Sequence, residues 1–325
     1  MRHTVVEPIT ILGRTVPHRL RTTAALAVLA GTAALAGCSD ADGGPVTEAG
    51  DPANCPGEVV DVVVSVAQWG AVVDQLGGDC ANVTTVLGSG ASDPHDHEAS
   101  TGDIAAFEDA DLVVYNGAGY DGWAADATDG VSPRPVVLEV AEVAGAATGD
   151  DPHLWYEPEV LPRFADAVTR ELTELSPDAA PYLQQQRQLF TTELQSYVAA
   201  LARLRELAPG RTYAATEPVF DRTARAVGLA DATPAGYRDA VGNEGEPAPG
   251  DLAEFVTALA DGGIDVLVYN TQTAGSLPEQ LRTAAEDSGV PVVEVTESAP
   301  DDDGSFVEWQ VDQLERLSDA LTENP

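Results

Sequence analysis

Five histidines occur in this 325-residue chain, and their placement suggests the chemistry. His3 and His18 fall in the N-terminal segment. The other three lie in two short acidic loops. His95 and His97 sit in Ser92-Asp93-Pro94-His95-Asp96-His97-Glu98, and His153 sits in Asp150-Asp151-Pro152-His153-Leu154-Trp155. Neutral imidazole is a common metal ligand near neutral pH. Two Asp-Pro-His loops that hold every later histidine point to metal binding by His95 and His153. Asp-Pro also forms turns, so turn formation is the competing account. His97, two positions on, either joins the site or flanks it.

The elements that must carry these loops read as alternating strands and helices. Residues 59–66 are a β-branched run, continuous enough for a strand covered on both faces. A helix over 68–76 and a strand over 82–87 follow, and the first histidine loop comes directly after. Ser100 and Asp103 suit the start of the next helix. Strands at 110–116 and 136–140, with a short helix at 120–127 between them, lead to the second histidine loop. Ligands gather at the carboxyl ends of strands in such sheets, which is where both loops fall.

From residue 158 the periodicity becomes helical. A helix over 159–175 is broken at Ser176-Pro177. A second helix from about 179 to 207 would measure roughly 40 Å and could traverse two domains. Alternation then restarts, with strands at 211–215, 265–269 and 290–295. Helices follow over 219–227, 251–260, 277–285 and 306–321. The surroundings of Tyr237 are ambiguous between the two templates. The strand at 211–215 ends at Thr216-Glu217-Pro218, which puts a carboxylate at a strand end. His95, His153 and Glu217 make a nitrogen-and-oxygen set suited to zinc, or to manganese with more oxygen. Glu217 has a plainer reading as a cap on the following helix.

The N-terminus reads as an export signal, which would put the chain outside the cytoplasm. Arg14, Arg19 and Arg21 precede an apolar run over 24–36, too short to span a bilayer comfortably. It closes in Leu35-Ala36-Gly37-Cys38, which resembles the lipobox of bacterial lipoproteins. That resemblance implies cleavage after a signal peptide (1–37), a lipid on Cys38 and a flexible tether (38–54). Two cysteines, Cys55 and Cys80, then remain, and outside the membrane such a pair usually forms a disulfide. The net charge is −38, and all sixteen basic residues are arginine. Such a surface repels nucleic acid and anionic lipid. The chain has no His-Glu-x-x-His, no phosphate-cradling glycine loop and no Gly-x-Ser-x-Gly elbow, so the expectation is a binding protein, not an enzyme.

The ordered series of motifs resembles the metal-binding lipoproteins that act as solute receptors for zinc and manganese ABC importers. The stretches that carry the resemblance are Ser92-Asp93-Pro94-His95, Ala110-Asp111-Leu112-Val113-Val114-Tyr115-Asn116-Gly117, and Asp151-Pro152-His153-Leu154-Trp155. Thr216-Glu217-Pro218-Val219-Phe220, Gly228-Leu229 and Pro291-Val292-Val293 continue it. The resemblance implies an α/β protein of two Rossmann-like lobes, each a mainly parallel sheet flanked by helices, joined by one long helix. The lobes would be 55–157 and 209–325, with 158–208 linking them. One Zn2+ or Mn2+ would be held as transported ligand by His95, His153 and Glu217. The family's fourth ligand is usually a carboxylate after a late strand, and the loop taken to correspond, after Tyr269, has none. Gln272, Asn270 or water would then complete the shell. The implied partners are an ABC permease with its cytoplasmic ATPase, met by a lipid-anchored monomer. The alternatives are a receptor for a small organic solute and a surface adhesin on the same fold.

Overall fold

The computed structural model describes residues 45–89, 97–243, 245–273, 275–298 and 304–323. The described chain begins with a short strand, β1 (Val46–Glu48), inside the stretch read from sequence as tether. Then come β2 (Val60–Val66), α1 (Ala67–Gly77), β3 (Ala81–Leu87), α2 (Thr101–Glu108), β4 (Leu112–Tyr115), α3 (Gly122–Gly130), β5 (Val136–Glu139) and α4 (Val140–Ala144). They form a five-stranded sheet in the order β1-β3-β2-β4-β5. The pairings among β2, β3, β4 and β5 are parallel, and β1 lies antiparallel on β3. Three residues are too few for an alternation pattern, so β1 escaped the sequence reading. It is held from the side, by a Thr47–Thr84 hydroxyl contact of 2.9 Å and by Gly50 N donating to Asn82 Oδ1 at 3.0 Å.

The middle of the chain is two helices, α5 (Val160–Leu175) and α6 (Ala180–Leu207). The second sheet follows with β6 (Thr212–Ala215), α7 (Asp221–Val227), β7 (Ala230–Asp231), α8 (Ala235–Val241), α9 (Pro249–Ala260), β8 (Val266–Asn270), α10 (Ser276–Ser288), β9 (Val292–Val295) and α11 (Phe306–Glu323). Its four strands are parallel, in the order β7-β6-β8-β9. The α/β class, the parallel sheets and the long helix are as the sequence indicates. β7 has two residues and no pattern to read. α8, where the sequence was ambiguous, is a seven-residue helix anchored by buried Tyr237.

Period-two burial explains why both sheets are covered on both faces. In the first, Val62 and Val64 point into the main core while Val63, with Val86 and Val113, packs under Phe107 and Ala124 on the other side. In the second, Tyr213 and Ala215 join the main core, and Ala214 and Leu267 face Tyr237, Phe255 and Leu281. The main core runs without interruption beneath both sheets, through α1, α5, α6 and α11. α6, 28 residues long, packs against α1 and α5 and also against α7 and α11. A disulfide joins Cys55 to Cys80, so the entry to β2 is tied to the entry to β3.

Candidate metal centre

His153 is placed by a chain of buried polar contacts that starts at the carboxyl ends of β2 and β4. Asn116 follows β4 and is fully buried. Its carbonyl accepts from Trp69 Nε1 at 2.9 Å, and its amide donates to the Pro152 carbonyl at 2.9 Å, which fixes the loop carrying His153. Asp121 in turn accepts from the backbone N–H of Asn116 and Gly117 and from Ser65 Oγ, at 2.6–2.9 Å. Burial nonetheless pushes the Asp121 carboxyl above its usual range. The tight path at Gly117 needs glycine. Its φ is +75°, and a Cβ there would lie 2.2 Å from Glu139 Oε1.

The His153 ring is buried and stands edge-on to Trp155, 5.5 Å between centroids. Asp151 Oδ1 lies 2.8 Å from Nδ1 and also accepts from the His153 backbone N–H at 3.0 Å. Burial would raise the Asp151 carboxyl, but its bonds to His153 and the nearby Arg222 charge outweigh that and hold it below the usual carboxylate value. An ionised carboxylate only accepts, so Nδ1 carries the proton and Nε2 is left as the donor atom toward the cleft.

Two carboxylates from the second sheet share the cleft with this nitrogen. Glu217 follows β6, and Asn270 at the end of β8 donates to its Oε2 at 2.6 Å. Burial raises the Glu217 carboxyl, the hydrogen bond from Asn270 opposes the rise, and the charge of Glu297 adds to it. Glu297 follows β9, and its Oε1 lies 3.9 Å from His153 Nε2 and accepts from Tyr120 OH at 2.7 Å. Its loop is gripped from several sides. Gln68 donates to the Glu297 carbonyl at 3.1 Å, Tyr156 OH to the Thr296 carbonyl at 2.6 Å, and Trp309 Nε1 to Thr296 Oγ1 at 2.8 Å. His153, Glu217 and Glu297 all line one cleft of about 1080 Å³ between the two sheets' strand ends.

The other expected residues stand elsewhere. Gln272 has both ends of its amide on Ser298, at 2.8 and 2.9 Å, and does not line the cleft. Asn270 turns its amide nitrogen to Glu217, and its oxygen accepts from Gln272 N at 3.1 Å. His97 lies 3.2 Å from Asp103 Oδ2 with its ring edge-on to Trp123. His95 and Cys38 lie outside the described residues. Among the described residues, no three His, Cys, Asp or Glu side chains are already gathered to ligand distances. Glu297 was missed from sequence, although the strand-end rule that picked out Glu217 applies equally to an acid two residues past β9.

Two helix-covered sheets whose strand ends bring imidazole and carboxylate into a shared cleft define a two-lobed, cleft-binding α/β protein. The family described as ZnuA, zinc-uptake complex component A, periplasmic, matches residues 62–320, and the chain belongs to it. The manganese-binding lipoprotein MntA of Halalkalibacterium halodurans is 24% identical over 285 residues, 82% of this chain and 88% of that protein. The high-affinity zinc uptake system protein ZnuA of Bacillus subtilis is 20% identical over 291 residues, 83% of this chain and 90% of that protein. Among solved structures, FpvC of Pseudomonas aeruginosa in complex with Mn2+ superposes with a TM-score of 0.70 at 21% identity. That match covers 82% of this chain and 100% of the other.

Proposed function

We propose that this chain is an extracytoplasmic receptor that captures one divalent ion, Zn2+ or Mn2+, and delivers it to an ABC permease with its ATPase. The observation that carries this reading is the approach of His153 Nε2 and the Glu297 carboxylate to 3.9 Å, beside Glu217, in one cleft between the sheets. A neutral imidazole with two carboxylates is a donor set for a divalent ion of intermediate softness. Without an ion the two acids repel, and a cation relieves that repulsion as it enters. His95, ahead of α2 in the sequence, adds the second imidazole. Glu297 takes the fourth position in place of Gln272, whose amide is engaged by Ser298. Residues 55–157 and 209–325 act as the two lobes, held by the helices of 158–208. Cys38 carries the lipid anchor, and the body works as a monomer. The role is binding, not catalysis, and a net charge of −38 keeps nucleic acid away.

The test is metal content under competition. Protein stripped with chelator is offered zinc and manganese together, dialysed, and its ions counted per chain by elemental mass spectrometry. His153→Ala at the same salt separates the site from diffuse attraction to an acidic surface. One ion per chain, lost in the variant, is the expected result. Wild-type protein that retains no ion, or a variant that retains it fully, overturns the reading.

A further inference from the structure

Arg222 lies in the first turn of α7, five residues after Glu217, and reaches across to the histidine loop. Its side chain is 12% exposed. Nε donates to the Asp151 carbonyl at 3.1 Å, Nη2 donates to the same oxygen, and Nη1 donates to Glu157 Oε2 at 3.4 Å. Nε also stands 3.5 Å from Asp151 Oδ2. That oxygen is buried and, among the described residues, accepts no hydrogen bond. Asp151 therefore holds His153 with one carboxylate oxygen and faces Arg222 with the other. Among the described residues, the hydrogen-bond acceptors of this guanidinium, the Asp151 carbonyl and Glu157 Oε2, lie on either side of His153, within four residues of it.

The base of Arg222 is equally fixed with respect to Glu217. Between them lies a single turn, closed by Asp221 N on the Pro218 carbonyl, with Val219 and Phe220 buried. Phe220 packs on Tyr156 at 5.2 Å, and Thr223 Oγ1 donates to the Tyr156 carbonyl at 2.6 Å. Those two contacts already dock α7. A largely buried ion pair is a poor source of stability beside them, whereas a planar fork bonding two oxygens fixes direction as well as distance.

We propose that Arg222 is a positioning residue for metal capture. It orients the His153 imidazole through Asp151 and sets the span from that nitrogen to Glu217, so that ligands from the two lobes are spaced before an ion arrives. The inference rests on the metal-receptor reading, and its test keeps the two apart. Zn2+ and Mn2+ affinities are measured by competition with a chromophoric chelator for wild type, Arg222→Met, Arg222→Lys and His153→Ala. The visible spectrum of the Co2+ form reports ligand geometry, and melting of the metal-free protein reports stability. Arg222→Met should weaken binding roughly tenfold, as loss of outer-shell partners does, and should change the Co2+ band. Arg222→Lys keeps the charge but not the fork and should recover part of the loss. Wild-type affinity and spectrum in Arg222→Met overturn the proposal whatever happens to its melting point. If Arg222→Met does not fold, wild-type affinity in Arg222→Lys overturns it. If His153→Ala binds as wild type, the metal site itself has failed, and Arg222 with it.

Discussion

At the residue scale the proposed donor set makes separable predictions. Loss of a ligand carboxylate should cost more than loss of a group that steadies a neighbouring loop. Glu297→Gln should weaken metal binding on the order of 100-fold, and Gln272→Ala by less than about tenfold, as a competition titration would show. Proton linkage adds a second. Burial alone would lower the His153 value, but the hydrogen bond and charge of Asp151, with Glu297 and Glu217, raise it above 6.5. A raised imidazole stabilises the metal-free fold fully below pH 6.5, and that contribution fades as pH climbs through the raised value. Glu217, raised mainly by burial, acts in the same direction. Metal-free protein should melt higher near pH 6 than near pH 7.5, and the gain on adding metal should shrink toward pH 6. A metal-free melting point that rises over this range would contradict the assignment. His153 and Glu217 were legible because histidine is scarce here and because strand ends are where such sheets bind. Glu297 was not, being one of 54 acids, and the resemblance directs attention to the loop after β8, not to the one after β9.

At the element scale, long apolar periods were legible and short pieces were not. β2, β3, α6 and α11 bury repeating faces in the shared core, so their patterns survive in the sequence. β1 and β7 have three and two residues and owe their shape to a neighbouring strand. The start of α2 was legible from capping chemistry. Ser100 Oγ accepts from Asp103 N at 3.2 Å, and Asp103 Oδ2 accepts from Ser100 N at 2.7 Å. The same Asp103 oxygen lies 3.2 Å from His97 Nε2, so this carboxylate serves the helix start and the end of the histidine loop together. Ser100→Ala should cost about 1 kcal/mol in denaturant unfolding. An unchanged midpoint would mean that Asp103 alone holds the helix start.

At the scale of the whole molecule, charge and core pull in opposite directions. A net charge of −38 repels itself across the surface, and salt shortens that repulsion to about 8 Å at physiological ionic strength. The metal-free melting point should rise by a few degrees between about 0.05 and 1 M NaCl, where 1 kcal/mol corresponds to roughly 1.5–2 °C for a chain of this size. A flat profile would show that the acids are spaced well enough to ignore one another. The core, by contrast, is a single body beneath both sheets, and the seam above it is crossed by more than apolar packing. Glu297 grows from the second sheet yet is grasped by Tyr120 and Gln68 of the first. Prising the lobes apart would strain those bonds and draw Glu297 away from His153 in the same stroke. Any motion that spreads the two sheets therefore pulls on the carboxylate that stands nearest His153.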